Sequence, residues 1–255
     1  NWYEHKKTGK QGRPKKYSDV AIQTVLVLKQ IYRLTLRTSQ GFTKSLFELM
    51  NLNITVPDYT RLSRRQSTLS LPKLPTLSES IHIVIDSSGL KILGEGEWMV
   101  RQHGWTKRRL WKKLHLGIDE KSQLIVSAVL TEKSCSDDKV MPELLDQYKG
   151  SYHQVSDDGA YDSHHCIEAI AGRGAKATIS LQTHPRHKLK VKENLKNTRD
   201  KIAWQIQQSG KKEWKQQSGY HRRSLVETGF YRYKQLLGNK LSSRKFENQE
   251  VEAML

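Results

Sequence analysis

The sequence predicts an α/β protein: a mixed sheet flanked by helices, preceded by a small all-helical module of about 75 residues. Three observations predict it. Apolar runs of strand length come first in hairpins and then alternate with helical patterns, which implies a mixed sheet with helices on its faces. The first 75 or so residues instead read as helical and basic. Charge is also uneven: residues 1–80 hold fourteen Lys+Arg against five Asp+Glu, a net of +9 out of +18 for all 255 residues.

In the basic module, Lys6 to Lys16 is a charged, glycine-containing arm. Ser18-Asp19 then caps a helix through Ala21, Val25, Leu26, Leu28 and Ile31. A second helix fits Gly41 to Met50, with Phe42, Leu46, Phe47, Leu49 and Met50 apolar. After the turn at Val56-Pro57, Asp58 or Thr60 caps a short third helix carrying Arg61, Arg64 and Arg65 on an exposed surface. Three short helices with a basic third one suggest a helix-turn-helix-like DNA-binding module. A plain helical bundle with a solvated basic face fits equally well. The linker is placed at Leu71-Pro72-Lys73-Leu74-Pro75, so the boundary between 1–75 and 76–255 falls there.

Beyond it, Ile81-His82-Ile83-Val84-Ile85 is a nearly continuous β-branched run, as in a strand buried on both faces, and Asp86-Ser87-Ser88-Gly89 is turn chemistry. Further strands fit Leu90–Leu93, Leu114–Ile118 and Leu124–Leu130, the last two joined by Asp119-Glu120-Lys121-Ser122. A helix follows with Val140, Leu144 and Leu145 inward, capped near Ser136 or Asp137, with Pro142 in its first turns. His153–Ser156 reads as a strand, Asp158-Gly159 as a turn, Ser163 to Ala171 as a helix and Ala177–Leu181 as another strand. Residues 182–219 are polar and lysine-rich, with Trp204 and Trp214, and read as a solvated or nucleic-acid-facing insertion. A final helix starts near Tyr220.

Composition excludes several classes. No apolar run approaches the eighteen residues of a membrane span, and the polar N-terminus has no signal-peptide core. Cys135 and Cys166 form no C-x-x-C pair, so neither a disulfide framework nor a zinc ribbon is offered, and a reduced cytoplasmic compartment is expected. A start at Asn1 and an end at Leu255 in mid-helical pattern point to a fragment of a longer protein. The +18 charge indicates a polyanionic partner, with nucleic acid the usual one.

Two acids stand alike. Asp86 and Asp158 each end an apolar strand, where α/β sheets gather catalytic groups, though such residues are more often turn formers. Asp162 suits a helix cap, Asp119 a hairpin turn, and Asp157 points to the side of the strand opposite Asp158. Tyr220, Arg223, Glu227 and Lys234 fall at offsets 0, 3, 7 and 14, a helical stripe about 60° wide. An exposed Arg–Glu pair would explain two of them. Gly229 in the same helix suggests that something approaches closely there. Lys107 to Lys113, including Arg108, Arg109, Lys112 and Lys113 and interleaved with Trp105 and Trp111, fits either DNA backbone contact or a solvated strand edge. Cys135, Cys166 and the His164-His165 pair have only structural readings.

The Tyr220-x2-Arg223-x3-Glu227-x6-Lys234 spacing resembles the Y-(2)-R-(3)-E-(6)-K signature of bacterial insertion-sequence DDE transposases, and its surroundings are similar to the insertion-sequence-five family. Ile83 to Lys91 is similar to that family's first-aspartate block, Lys107 to His115 to the basic strand region after it, and Asp158-Gly159-Ala160-Tyr161-Asp162 to the second block. Leu46 to Met50 and Val56 to Tyr59 extend the resemblance upstream. It implies an RNase H-like fold with Asp86, Asp158 and Glu227 as catalytic and metal-binding triad. It also implies Mg²⁺ (Mn²⁺ as substitute), as two ions, because phosphodiester cleavage is served by hard oxygen ligands holding two ions. Arg223 and Lys234 would hold phosphates of the transposon end, and Tyr220 would stack on or hydrogen-bond a displaced nucleotide. The implied partners are double-stranded DNA and a second copy of the chain in a synaptic complex; the implied place is the cytoplasm, at the nucleoid. A nuclease without strand transfer, and a transposase-derived DNA-binding protein without activity, are the alternatives.

Overall fold

The computed structural model describes residues 1–4, 15–71, 73–92, 111–182 and 197–255. Expectations on most of the basic arm, Pro72, Leu93, Arg108, Arg109 and residues 183–196 lie outside the described residues. The chain divides into two compact units, one of residues 74–90 and 111–233, the other built from the N-terminal 73 residues, 91–92 and 234–255.

The first three helices are set by their caps. In α1 (Asp19–Ile31) the Ser18 hydroxyl accepts from the Ala21 N–H, and in α3 (Tyr59–Gln66) Asp58 accepts from the Thr60 and Arg61 N–H groups. Helix α2 spans Leu36–Leu49, beginning five residues before the expected Gly41. Thr35 caps it by accepting from the Thr38 N–H, and its buried face carries Ser39 and Thr43, whose hydroxyls return to Leu36 and Ser39 carbonyls. Polar residues satisfied in this way hide a helix from an apolar-period reading. Tyr17, Ala21, Ile22, Val25, Leu26, Leu62 and Leu69 form one core with Val251 of the C-terminal helix (Phe246–Met254, α9 below). That core also encloses an ion pair: Lys29 Nζ lies 3.4 Å from Glu252 Oε1, with side chains 8% and 2% exposed. Burial alone would raise the Glu252 pKa, but Lys29 and the contacts from Ser242 and Ser243 outweigh it and hold it below the usual carboxylate range.

The second unit is the mixed sheet. Strands β1 (Ile81–Ile92), β2 (Trp111–Asp119), β3 (Ile125–Glu132), β4 (Tyr152–Asp157) and β5 (Lys176–Ile179) run in the order β3-β2-β1-β4-β5. The β2–β3 pair is antiparallel; β1–β4 and β4–β5 are parallel. Two-residue β6 (Lys240–Leu241) pairs with Lys91 and Ile92 at the end of β1. Helices α4 (Met141–Gln147) and α5 (His164–Ala171) pack on the sheet through Met141, Leu144, Leu145, Cys166, Ile167 and Ile170. Ser163, not Asp162, caps α5 by accepting from the Cys166 N–H.

Two further expectations are corrected. Asp86-Ser87-Ser88-Gly89 is not a turn: β1 continues through it to Ile92 as one strand, with β2 its neighbour in the sheet. The stretch 182–219 is not a solvated insertion where described. Helices α6 (Thr198–Ser209) and α7 (Lys211–Gln217) place Ile202, Ala203, Ile206 and Trp214 in the sheet core, while their lysines stay outside. Helix α8 spans Leu225–Leu237 and is led by a 3₁₀ turn over Tyr220–Ser224.

Candidate active site

Strand pairing brings the first two acids together. In the parallel β1–β4 ladder Val84 stands opposite Ser156. Continuing that register by two residues sets Asp86 beside Asp158 where β4 ends. Asp158 caps the 3₁₀ turn Gly159–Tyr161, its Oδ1 accepting from the Ala160 N–H at 2.7 Å. Tyr161 is fully buried and anchors that turn from below.

The third acid arrives on α8. Glu227 lies in its first turn and is exposed, while Val226 and Phe230 of the same helix are buried. Gly229 explains how closely the helix approaches the sheet: a Cβ there would stand 2.1 Å from Ile118 Cδ1. The close contact expected from this glycine is therefore a β2 side chain. Arg223 ties the arrangement together, its guanidinium 3.7 Å from Asp86 Oδ2 and 3.3 Å from Glu227 Oε1.

The electrostatics follow from crowding. Burial pushes the Asp86 carboxyl above its ordinary range, and the charges of Asp158 and Glu227 act the same way. The Ser87 N–H, 2.8 Å from Asp86 Oδ1, and Arg223 oppose the rise. Next door, Asp157 is fully buried with neither carboxylate oxygen hydrogen-bonded in the structure. Burial raises its pKa well above the usual value, reinforced by Asp158 and Asp86.

Comparison with protein families decides the class. A model described as "Transposase DDE domain" matches residues 77–255, and a second model with the same description matches residues 1–95. The chain belongs to the DDE transposase domain family. Such domains are metal-dependent enzymes of DNA cleavage and strand transfer, and the family's divalent metal calls for oxygen donors. Among solved structures, the chain is similar to the Drosophila P element transposase strand transfer complex, at 11% identity and a TM-score of 0.38. The match covers 96% of this chain but 58% of that one.

The three carboxylates singled out in the sequence, on β1, the turn after β4 and α8, are hard oxygen donors of the kind a divalent ion takes. A guanidinium already stands between two of them, so the site draws positive charge. Among the described residues no three candidate ligands are gathered closely enough to hold a metal ion.

The other residues singled out in the sequence are placed as follows. Tyr220 packs against the core and against Trp214, ring centroids 5.9 Å apart, with Lys215 over its ring. Lys234 lies two turns beyond Glu227 on α8, half-buried. Lys112 and Lys113 have partners within the protein: Lys112 pairs with Glu132, and Lys113 Nζ lies 2.8 Å from Asp137 Oδ1. Arg65 pairs with Asp19, Arg61 lies 3.1 Å from Asp58, and Arg64 is exposed. Sequence reasoning gave Asp137 no role beyond capping. It also accepts from Ser87, the residue after Asp86, at 3.2 Å. No described helix is long and apolar enough to cross a membrane.

Proposed function

We propose that this chain is the transposase of a bacterial insertion sequence, recognising terminal inverted repeats through its basic N-terminal helices and cutting and joining DNA at Asp86, Asp158 and Glu227. The observation that carries the reading is Arg223 held between Asp86 and Glu227, with Asp158 beside Asp86, in a chain of the DDE transposase domain family. Acids from three elements lie on one side of the sheet unit, and Arg223 offsets part of the negative charge of two of them.

Asp86, Asp158 and Glu227 are the metal ligands in this reading. Bound there, two Mg²⁺ ions (or Mn²⁺ in their place) would stabilise the attacking and leaving oxygens of an in-line displacement at phosphorus. The protein's own groups do the rest. The carboxylates must be ionised to bind metal, so the raised pKa of Asp86 moves the acid limb of activity to higher pH than an ordinary aspartate would give. Arg223 exchanges its carboxylate partners for a phosphate of the transposon end when metal and DNA arrive, and Lys234 holds another. Tyr220, braced by Trp214, offers a ring to a displaced nucleotide. Arg61, Arg64 and Arg65, with the Arg108–Lys113 stretch, supply backbone contacts. Two DNA ends need two such sites, which calls for a homodimer in a synaptic complex, acting at the nucleoid.

The test is nicking of supercoiled plasmid with Mg²⁺ or Mn²⁺. Metal-dependent nicking by the wild type, lost in both Asp158→Ala and Glu227→Ala, supports the assignment. Nicking that survives both substitutions rejects it, and a folded, DNA-bound wild type that never nicks points to a binding-only protein.

A further inference from the structure

Below the Asp158 turn lies a set of contacts that no part of the proposed chemistry uses. Asp162, at the far end of that turn, has a side chain only 3% exposed. Arg199, thirty-seven residues later and in the first turn of α6, clasps it from both sides: Nε reaches Oδ1 and Nη2 reaches Oδ2, each at 2.7 Å. A two-pronged guanidinium–carboxylate contact fixes orientation as well as distance. Gln182, three residues past the end of β5, completes the set. Its N–H donates to Asp162 Oδ2 and its side-chain amide donates to the Gly159 carbonyl, each at 2.7 Å. The turn is packed to contact there, since a Cβ on Gly159 would stand 3.0 Å from Gln182 Cγ and 3.1 Å from the Ser180 carbonyl.

We propose that the Arg199–Asp162 pair, with Gln182, is a positioning clamp for Asp158: it fixes the Asp158–Asp162 turn so that the Asp158 carboxylate faces the metal. The inference rests on the reading of Asp158 as a metal ligand. Its physical basis is local. Asp158 follows the last residue of β4 and is bonded within its own turn, so the ladder alone does not orient it. The turn's other end is held by Tyr161 in the core and by the clamp at Asp162 and Gly159. Removing the clamp frees one end of a five-residue turn that carries a ligand at the other. Groups that orient metal ligands without touching the metal typically change affinity about 10–100-fold when lost. The clamp also gives the polar segment after residue 196 a purpose: α6 delivers Arg199 to the turn while its apolar face fills the core.

The experiment measures Mn²⁺ binding by electron paramagnetic resonance, without DNA, alongside nicking as a function of Mn²⁺. The proteins are wild type, Asp158→Ala, Arg199→Ala, Arg199→Lys and Gln182→Ala. Arg199→Ala is expected to weaken Mn²⁺ binding about tenfold and raise the half-saturating Mn²⁺ for nicking in step. Excess metal should recover much of the rate. Arg199→Lys keeps the charge but not the fork and should fall between. Gln182 is exposed, so Gln182→Ala tests the clamp in a folded protein should Arg199→Ala fail to fold, with a several-fold loss expected. If Arg199→Lys and Gln182→Ala bind Mn²⁺ like the wild type while Asp158→Ala does not, the clamp is only structural and the proposal fails. If Asp158→Ala itself binds and nicks normally, it is the metal-ligand reading that fails.

Discussion

The two units treat buried charge in opposite ways. In the helical unit Lys29 and Glu252 are buried as a pair, and Glu252 also accepts the Ser242 and Ser243 N–H groups at 2.9 and 2.8 Å. In the sheet unit Asp157 is as deeply buried, with no hydrogen bond on either oxygen and two further acids for neighbours. Paired charge can be interior structure, whereas a lone buried carboxyl is pushed toward its neutral form, and such perturbed groups are found most often at functional sites.

Four substitutions break or sharpen this contrast. The largest effect is expected from Glu252→Ala, which leaves Lys29 buried alone and should destabilise the chain by about 3–5 kcal/mol in urea unfolding. Glu252 titrates below its ordinary value, so the wild type holds this stabilisation at neutral pH and loses it as pH falls through the folded pKa. An unfolding midpoint unchanged by Glu252→Ala would show that the pair contributes nothing. Gly229→Ala comes next, because its methyl would collide with Ile118. About 1–3 kcal/mol of destabilisation is expected, together with loss of nicking as Glu227 moves. Full activity in that variant would separate the helix seating from the site.

Asp157→Asn should act in the opposite direction. The folded state holds the Asp157 proton to higher pH than the unfolded state does. Wild-type stability therefore declines as pH rises above the ordinary aspartate range, and the asparagine variant should lack the decline. A gain of about 1.4 kcal/mol at neutral pH corresponds to one unit of pKa, and melting curves against pH would read it. The smallest effect is expected from Arg64→Ala. Arg64 is exposed, so stability should change by less than about 0.5 kcal/mol. The salt dependence of DNA binding should weaken by about one phosphate contact. An unaltered salt slope would remove Arg64 from the DNA surface.

The same contrast shows what the sequence made legible. Ile81–Ile85, the Asp119 hairpin and the helix from Ser163 to Ala171 were readable because run length and turn residues are local signals, although the cap fell on Ser163 and not on the expected Asp162. The two-residue period of a strand predicts only a side for Asp157; that it is fully buried with no hydrogen bond on either oxygen is a tertiary fact which that period does not see. β1 outran its apparent turn because its neighbours come from distant segments. The insertion reading of 182–219 failed because the many lysines obscured Ile202 and Ile206, four residues apart on one helix face. Lys112 was not open to that reading: continued from Ile118 opposite Ile125, an unbroken ladder would set it opposite Thr131, and the register shift between Gly117 and Ile118 brings it to Glu132 instead. Arg199 had no local signal, since its partner lies thirty-seven residues earlier.

The central claim is that Asp86, Asp158 and Glu227 hold one metal centre. Loading the chain with Fe²⁺ in place of Mg²⁺ and adding ascorbate and peroxide generates radicals that cut the backbone next to bound iron, and mass spectrometry locates the cuts. Cleavage clustered near residues 86, 158 and 227, suppressed by excess Mg²⁺, is the predicted result. Cleavage that clusters elsewhere, or that Mg²⁺ does not suppress, would contradict the account.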